Sequence, residues 1–160
     1  MRHISLSLVI IFLSAFTYAQ ELQKGADGLT YVDGKLYSGS HTAFNDDNVK
    51  TMEVEYKDGK IEGEYKSYYL DGSIQETGYY TQGNKDGNWE KFNEKGKTTG
   101  VANYKDGKKH DKWMIFDDNG TKRVEIFYNE GMKVNTWTMW DQDGNIISQK
   151  TYEAVEVERK

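Results

Sequence analysis

One interval governs this chain. Tyr56-Lys57-Asp58-Gly59 recurs as Tyr80-Thr81-Gln82-Gly83, Tyr104-Lys105-Asp106-Gly107 and Tyr128-Asn129-Glu130-Gly131, always 24 residues on. A second series, Asp71-Gly72, Lys95-Gly96, Asn119-Gly120 and Asp143-Gly144, keeps that step. Between the two run an aromatic column, Tyr65, Trp89, Trp113 and Trp137, and another three residues later, Tyr68, Phe92, Phe116 and Trp140. Tyr152 closes the last copy. An imperfect copy precedes these, from Tyr31-Val32-Asp33-Gly34 through Gly39, His41 and Phe44 to Tyr56. Gly34 lies 25 residues before Gly59 while Gly39 lies 24 before Gly63, so the front half carries one extra residue. An irregular end unit suits a capping repeat, and a period of this length marks an array of supersecondary units.

Each unit reads as a β-hairpin. Asp71-Gly72, between Tyr68, Tyr69 and Ile74, predicts a two-residue turn with both central residues at positive φ. The other connection reads as longer, starting near Gly59 and ending at the column Gly39, Gly63, Gly87, Asp111, Asn135. These residue types accept a left-handed backbone, so the column marks a backbone constraint. Strands are expected over 64–70 and 73–80 and at each 24-residue step. Met52, Val54 and Tyr56 alternate with polar residues, as do Val124, Ile126 and Tyr128. Trp89 and Phe92 have opposite parity, and a bulge between them would bring both rings to one side. Turns this frequent leave no room for a helix. The expected fold is all-β: an elongated antiparallel sheet of about five consecutive hairpins, roughly 45–50 Å long at about 4.8 Å per strand.

Composition agrees. There is no Cys and no Pro, and aromatic residues make up 14% of the chain while hydrophobic residues make up only 36%, so rings supply much of the buried area. Absence of Cys removes disulfides, zinc–thiolate sites and thiol nucleophiles. The net charge of −5 argues against a nucleic-acid partner and against simple adhesion to anionic lipid.

No motif for chemistry emerges. His41 and His110 lack ligand spacing and read as exposed loop residues, so no metal site is expected. Asp117-Asp118-Asn119-Gly120 and Asp141-Gln142-Asp143-Gly144 resemble calcium loops. With Gly at position six, however, position one would be Ile115 or Met139 and position twelve Ile126 or Lys150. They read as hairpin turns. P-loop, dinucleotide and nucleophile-elbow patterns are missing, and repetition here is structural, so neither catalytic residues nor cofactors are expected. The two aromatic columns form the candidate binding face: Tyr65, Tyr68, Trp89, Phe92, Trp113, Phe116, Trp137 and Trp140. Cross-strand pairing alone also explains such ladders. A partly exposed ladder would instead mark an interaction surface.

The units resemble MORN repeats, in the bacterial variant form Y-x-x-G-x-x-x-G-x-W/Y-x-x-Y/F/W-x-x-x-G. Tyr80, Gly83, Gly87, Trp89, Phe92 and Gly96 make the cleanest copy, and Asp111 and Asn135 depart at one Gly column. The resemblance covers residues 31–152. It implies a hairpin scaffold for protein interaction, without cofactor or catalytic residues, in a group that includes antitoxin-like proteins. Choline-binding cell-wall repeats are a weaker likeness, because they too carry aromatic cages that hold quaternary ammonium groups by cation–π attraction.

Residues 1–19 differ from the rest. Arg2 precedes an apolar run from Ile4 to Phe16, and Thr17-Tyr18-Ala19 places small residues before Gln20, the pattern of a secretory signal peptide. The run is shorter than the about 20 residues a membrane span needs. The expected organisation is a signal peptide (1–19), a lead-in (20–30), the repeat domain (31–152) and a charged tail (153–160). Without its signal the chain carries −6 and no transmembrane segment. It is expected to be periplasmic, on the cell surface or extracellular. Three functions are consistent with this. The first is an exported non-enzymatic scaffold that binds a protein partner at the envelope. The others are a cell-wall or glycan-binding module, and an antitoxin or immunity protein against an exported toxin. Expression of the full chain in a bacterial host is expected to release a protein beginning at Gln20, read by N-terminal sequencing; retention of Met1 would exclude export by cleavage.

Overall fold

The computed structural model describes residues 21–152. The signal-peptide reading and the charged tail lie outside them. Strands account for every regular element. A small sheet of β1 (Gln23–Lys24), β2 (Thr30–Val32) and β3 (Lys35–Leu36) opens the fold. The main sheet is a meander of β4 (Gly39–Phe44), β5 (Lys50–Lys57), β6 (Lys60–Tyr68), β7 (Ile74–Thr81), β8 (Asn84–Phe92) and β9 (Thr98–Lys105). It continues through β10 (Lys108–Lys109), β11 (Asp111–Phe116), β12 (Lys122–Asn129), β13 (Met132–Trp140) and β14 (Ile146–Tyr152). Within each sheet consecutive strands pair antiparallel, and β10 and β11, both paired with β9, are two halves of one strand interrupted at His110. No helix occurs among the described residues.

The two kinds of turn are the reverse of the sequence expectation. Asp58-Gly59 is the two-residue turn: Lys57 pairs directly with Lys60, and both turn residues have positive φ, 50° and 78°. The same holds for Asp33-Gly34, Gln82-Gly83, Asp106-Gly107 and Glu130-Gly131. The Asp71-Gly72 end is a three-residue loop in which only Gly72 is left-handed. Its N–H donates to the Tyr69 carbonyl at 3.0 Å and Tyr69 N–H to Ser73 at 2.8 Å, a type I turn closed by a glycine bulge. Strands therefore run 60–68 and 74–81 in place of 64–70 and 73–80.

The left-handed conformation of the Gly39 column is as expected, but its place is not the end of a loop. Gly39, Gly63, Gly87, Asp111 and Asn135 all have positive φ. They lie inside the first strand of each hairpin, where the pairing slips: Val54 pairs with Tyr65 but Tyr56 with Ile61, so residues 62–64 face Glu55 alone. The slip recurs between Thr77 and Tyr79 and between Glu125 and Phe127. A second irregularity puts one extra residue, such as Gln75 or Thr99, in the strand facing Tyr68 or Phe92. This bulge belongs to the facing strand, so the parity of β8 is unbroken and Trp89 and Phe92 point to opposite faces, not to one.

Units are also joined by hydrogen bonds. The turn glycine of each unit donates to the unit before: Gly83 to the Ile61 carbonyl (2.8 Å), Gly107 to Lys85 (2.9 Å) and Gly131 to Lys109 (2.8 Å). At the N-terminal end Gly59 reaches Tyr37, the region of the extra residue, and Tyr37 breaks β3 from β4 while stacking on Tyr56 at 5.5 Å. At most of the opposite tips a side chain three residues before the left-handed position accepts the loop N–H groups, as Asn93 does for Lys95 and Lys97 and Asp117 for Asn119 and Thr121. The two calcium-like segments are thus hairpin loops. Asp117, held below the usual carboxylate range first by the Thr121 N–H, also pairs with Arg123, whose guanidinium reaches on to the Asp141 carbonyl of the next tip.

A single-layer sheet has little core. Among the described residues Val54, Trp89 and Tyr128 are the buried apolar side chains, and Trp89 is 2% exposed. Its ring lies against Gly78, where an added Cβ would sit 2.2 Å from Trp89 Cδ2. Gly100, on the equivalent strand, has no neighbour to such a Cβ nearer than 3.8 Å. Gly78→Ala is expected to cost about 1–3 kcal/mol by overpacking, and Gly100→Ala less than about 0.5 kcal/mol, both from urea-unfolding midpoints. Equal losses would contradict this packing.

Candidate functional site

The first aromatic column joins the tyrosine column that marks the repeat. Ring centroids step from Tyr65 to Tyr80 (5.7 Å), Tyr80 to Trp89 (5.1 Å), Trp89 to Tyr104 (6.2 Å), Tyr104 to Trp113 (5.1 Å) and Trp113 to Tyr128 (5.3 Å). Most pairs are edge-to-face, the arrangement favoured by the ring quadrupole and worth about 0.5–1.5 kcal/mol beyond area burial. Indole N–H groups fix two rings: Trp89 donates to the Tyr79 carbonyl at 3.2 Å and Trp113 to Asn103 at 2.9 Å. Burial pushes the Tyr80 and Tyr104 hydroxyls above the usual phenol range.

Lysines cap this ladder in register. Lys85, Lys109 and Lys133 pair across the strands with Tyr80, Tyr104 and Tyr128. Lys85 Nζ sits 3.5 Å from the Trp89 centroid, Lys109 Nζ 4.4 Å from Trp113, and Lys133 Nζ 5.9 Å from Trp137. Such contacts contribute about 0.5–1 kcal/mol where exposed and about 2 where desolvated. Burial lowers the Lys85 ammonium from its ordinary value, partly offset by Glu76 at 3.7 Å. These lysines also recur every 24 residues, with Ile61 in the first position.

The second column, Tyr68, Phe92, Phe116 and Trp140, occupies the opposite face without forming a stacked ladder. Tyr68 donates to Glu53, which Lys50 also reaches at 2.8 Å while lying 4.1 Å over the Tyr68 ring. Lys122, Glu125 and Trp140 make a similar group: Lys122 is 3.0 Å from Glu125 and 4.3 Å from the Trp140 ring. The eight candidate residues therefore do not share one surface. Trp89 is buried, while Tyr65, Trp113, Trp137 and the second column are half-buried.

The histidines are not exposed loop residues. His41 lies edge-on to Tyr56 at 6.4 Å, and His110 is half-buried at the strand break, with Nδ1 unpaired 3.9 Å from Glu130. Among the described residues no cluster of three or more His, Asp or Glu could hold a metal, and no helix is long and apolar enough to cross a membrane.

The described residues form a single-layer array of hairpins with an aromatic ladder along one face. Residues 61–82 and 133–154 match the family model described as MORN repeat variant, in agreement with the resemblance read from the sequence. MORN repeats are a non-enzymatic type that generally binds proteins or membranes. No curated protein matches this chain. Among solved structures the chain is similar to one described as accessory secretory protein 1, 2 and 3 in Streptococcus pneumoniae. The match has 12% identity and a TM-score of 0.37, covering 78% of this chain and 22% of that one. A likeness so slight carries no functional inference.

Trp89→Phe is expected to raise the average acrylamide quenching of the remaining Trp113, Trp137 and Trp140, since it removes the one buried indole. Unchanged or weaker quenching would contradict the burial of Trp89.

Proposed function

We propose that this chain is an exported, non-enzymatic repeat scaffold that binds a protein partner at the cell envelope through its ladder face. The observation that carries the reading is the ladder itself: nearly every described unit is spent on one continuous surface of rings and lysines, with no group set aside for catalysis. The exposed Ile115 and half-buried Trp113 and Trp137 add apolar area of the kind that interaction surfaces use. A quaternary-ammonium ligand is less favoured, because the ring faces it would need already lie beneath intramolecular lysine ammonium groups.

Photo-crosslinking residues placed at Ile115 and Lys150 on the ladder face, and at Lys66 and Lys112 on the other, test this with envelope extract. One protein captured repeatedly from the ladder face alone is the expected result. Capture from neither face, or only from the opposite face, would overturn it.

A further inference from the structure

Charge is sorted between the two faces in a way the net balance conceals. Strand register places Glu76, Lys85, Lys91, Lys109, Asp111, Lys133 and Lys150 on the ladder face. Five lysines thus meet two carboxylates there, on a chain whose net charge is −5. Of the other described carboxylates in the main sheet, most lie at hairpin tips or on the opposite face, where Glu53, Glu64 and Glu125 pair with Lys50, Lys66 and Lys122. Glu76 is the only ion-pair partner that ladder-face lysines have among the described residues, at 3.7 Å from Lys85 and 3.9 Å from Lys91.

The cations are also evenly spaced. Lys85, Lys109 and Lys133 stand on alternate strands, so neighbours are about 10 Å apart across the sheet. A polyproline-type chain rises about 3.1 Å per residue with three residues per turn, so every third residue lies on one side of it at about that interval. On β9, between the strands that carry Lys85 and Lys109, the sheet has a depression of about 360 Å³. It is floored by Gly100 and Ala102, walled by Trp113 and the exposed Ile115, and rimmed by Lys85 and Lys91 with Glu76 between them. The corresponding positions hold Met52 and Val54 on β5 and Val124 and Ile126 on β12, while on β7 Trp89 covers Gly78. At β9 two small side chains leave the space open.

We infer that the ladder face takes an extended acidic segment of a partner protein, lying across the strands, with carboxylates on the lysine row and an aliphatic side chain in the Gly100–Ala102 depression. Charge complementarity selects the acidic segment, and the apolar floor selects a protein over a uniformly charged polyanion. The inference rests on the protein-binding reading above and names the chemistry of the partner.

The test uses the full chain and a labelled peptide repeating Glu-Ala-Leu, read by fluorescence anisotropy at low and physiological salt. Binding is expected to weaken with salt and to be lost with a Lys-Ala-Leu peptide. Lys109→Glu with Lys133→Glu is expected to weaken it by roughly tenfold or more, and the milder Lys109→Gln with Lys133→Gln by less. Lys66→Glu with Lys112→Glu, on the opposite face, is expected to leave it unchanged. Gly100→Val should reduce affinity for this peptide but not for a Glu-Ala-Ala repeat. Circular dichroism melts establish that each variant is folded, and the Gln pair decides the matter if the Glu pair is not. No binding, equal losses from both faces, or tighter binding to single-stranded oligonucleotide or phosphatidylglycerol vesicles than to the peptide would overturn the inference. If the peptide fails while ladder-face crosslinks still capture an envelope protein, the acidic segment falls and the protein-binding reading stands.

Discussion

Ring-on-ring contact along one face stands in for the hydrophobic core that a single-layer sheet cannot build. A sheet of this kind has no second layer to bury its apolar side, so its side chains must cover one another laterally. Large flat rings do this where aliphatic groups could not, because each reaches its neighbours on two adjoining strands. Trp89 shows the result: Tyr65, Tyr80 and Tyr104 surround it, Gly78 lies beneath and Lys85 above. The left-handed residue within each first strand serves that arrangement. By forcing a slip in pairing it brings Trp89 opposite Gly78 and sets the tyrosine and tryptophan columns side by side.

Stability in such an array is distributed. Each hairpin is marginal alone and is held by the units on either side, through rings on one face and through the turn glycine donating to the preceding unit. The Arg123 clasp between the Asp117 and Asp141 loops is a local supplement near the C-terminal end, where the fourth and fifth hairpin tips meet. At the other end Tyr37, which follows the extra residue of the first unit, interrupts its strand and closes over Tyr56.

The repeat, its strands and its left-handed column were legible in the sequence because each recurs as a residue type with one physical use. The turn types were not, since Asp-Gly suits either a two-residue turn or the end of a three-residue loop. A column that helps separate them was present: Asn45, Asn93, Asp117 and Asp141, each three residues before the left-handed position, are side-chain acceptors in four of the five longer loops, Tyr69 holding that place in the other. The lysine caps were missed for a different reason. Lysine in a strand ordinarily signals a solvated side, and only the cross-strand register reveals a ring under each one. Likewise, two aromatic columns three residues apart could be assigned to one face or two only by knowing which strand carries the bulge.

The turn glycine that donates to the unit before it has a consequence for how this molecule can change in length. Its bond joins positions separated by 22 residues, and the ring contacts obey the same 24-residue frame. Whole units can be duplicated or lost with every junction intact, whereas a single inserted residue has to be absorbed by a bulge or a strand break, as before Tyr37, for the rings and ammonium groups to keep their side. Length is therefore quantised, and the lysine row is graduated like a ruler, each added unit extending it by about 10 Å.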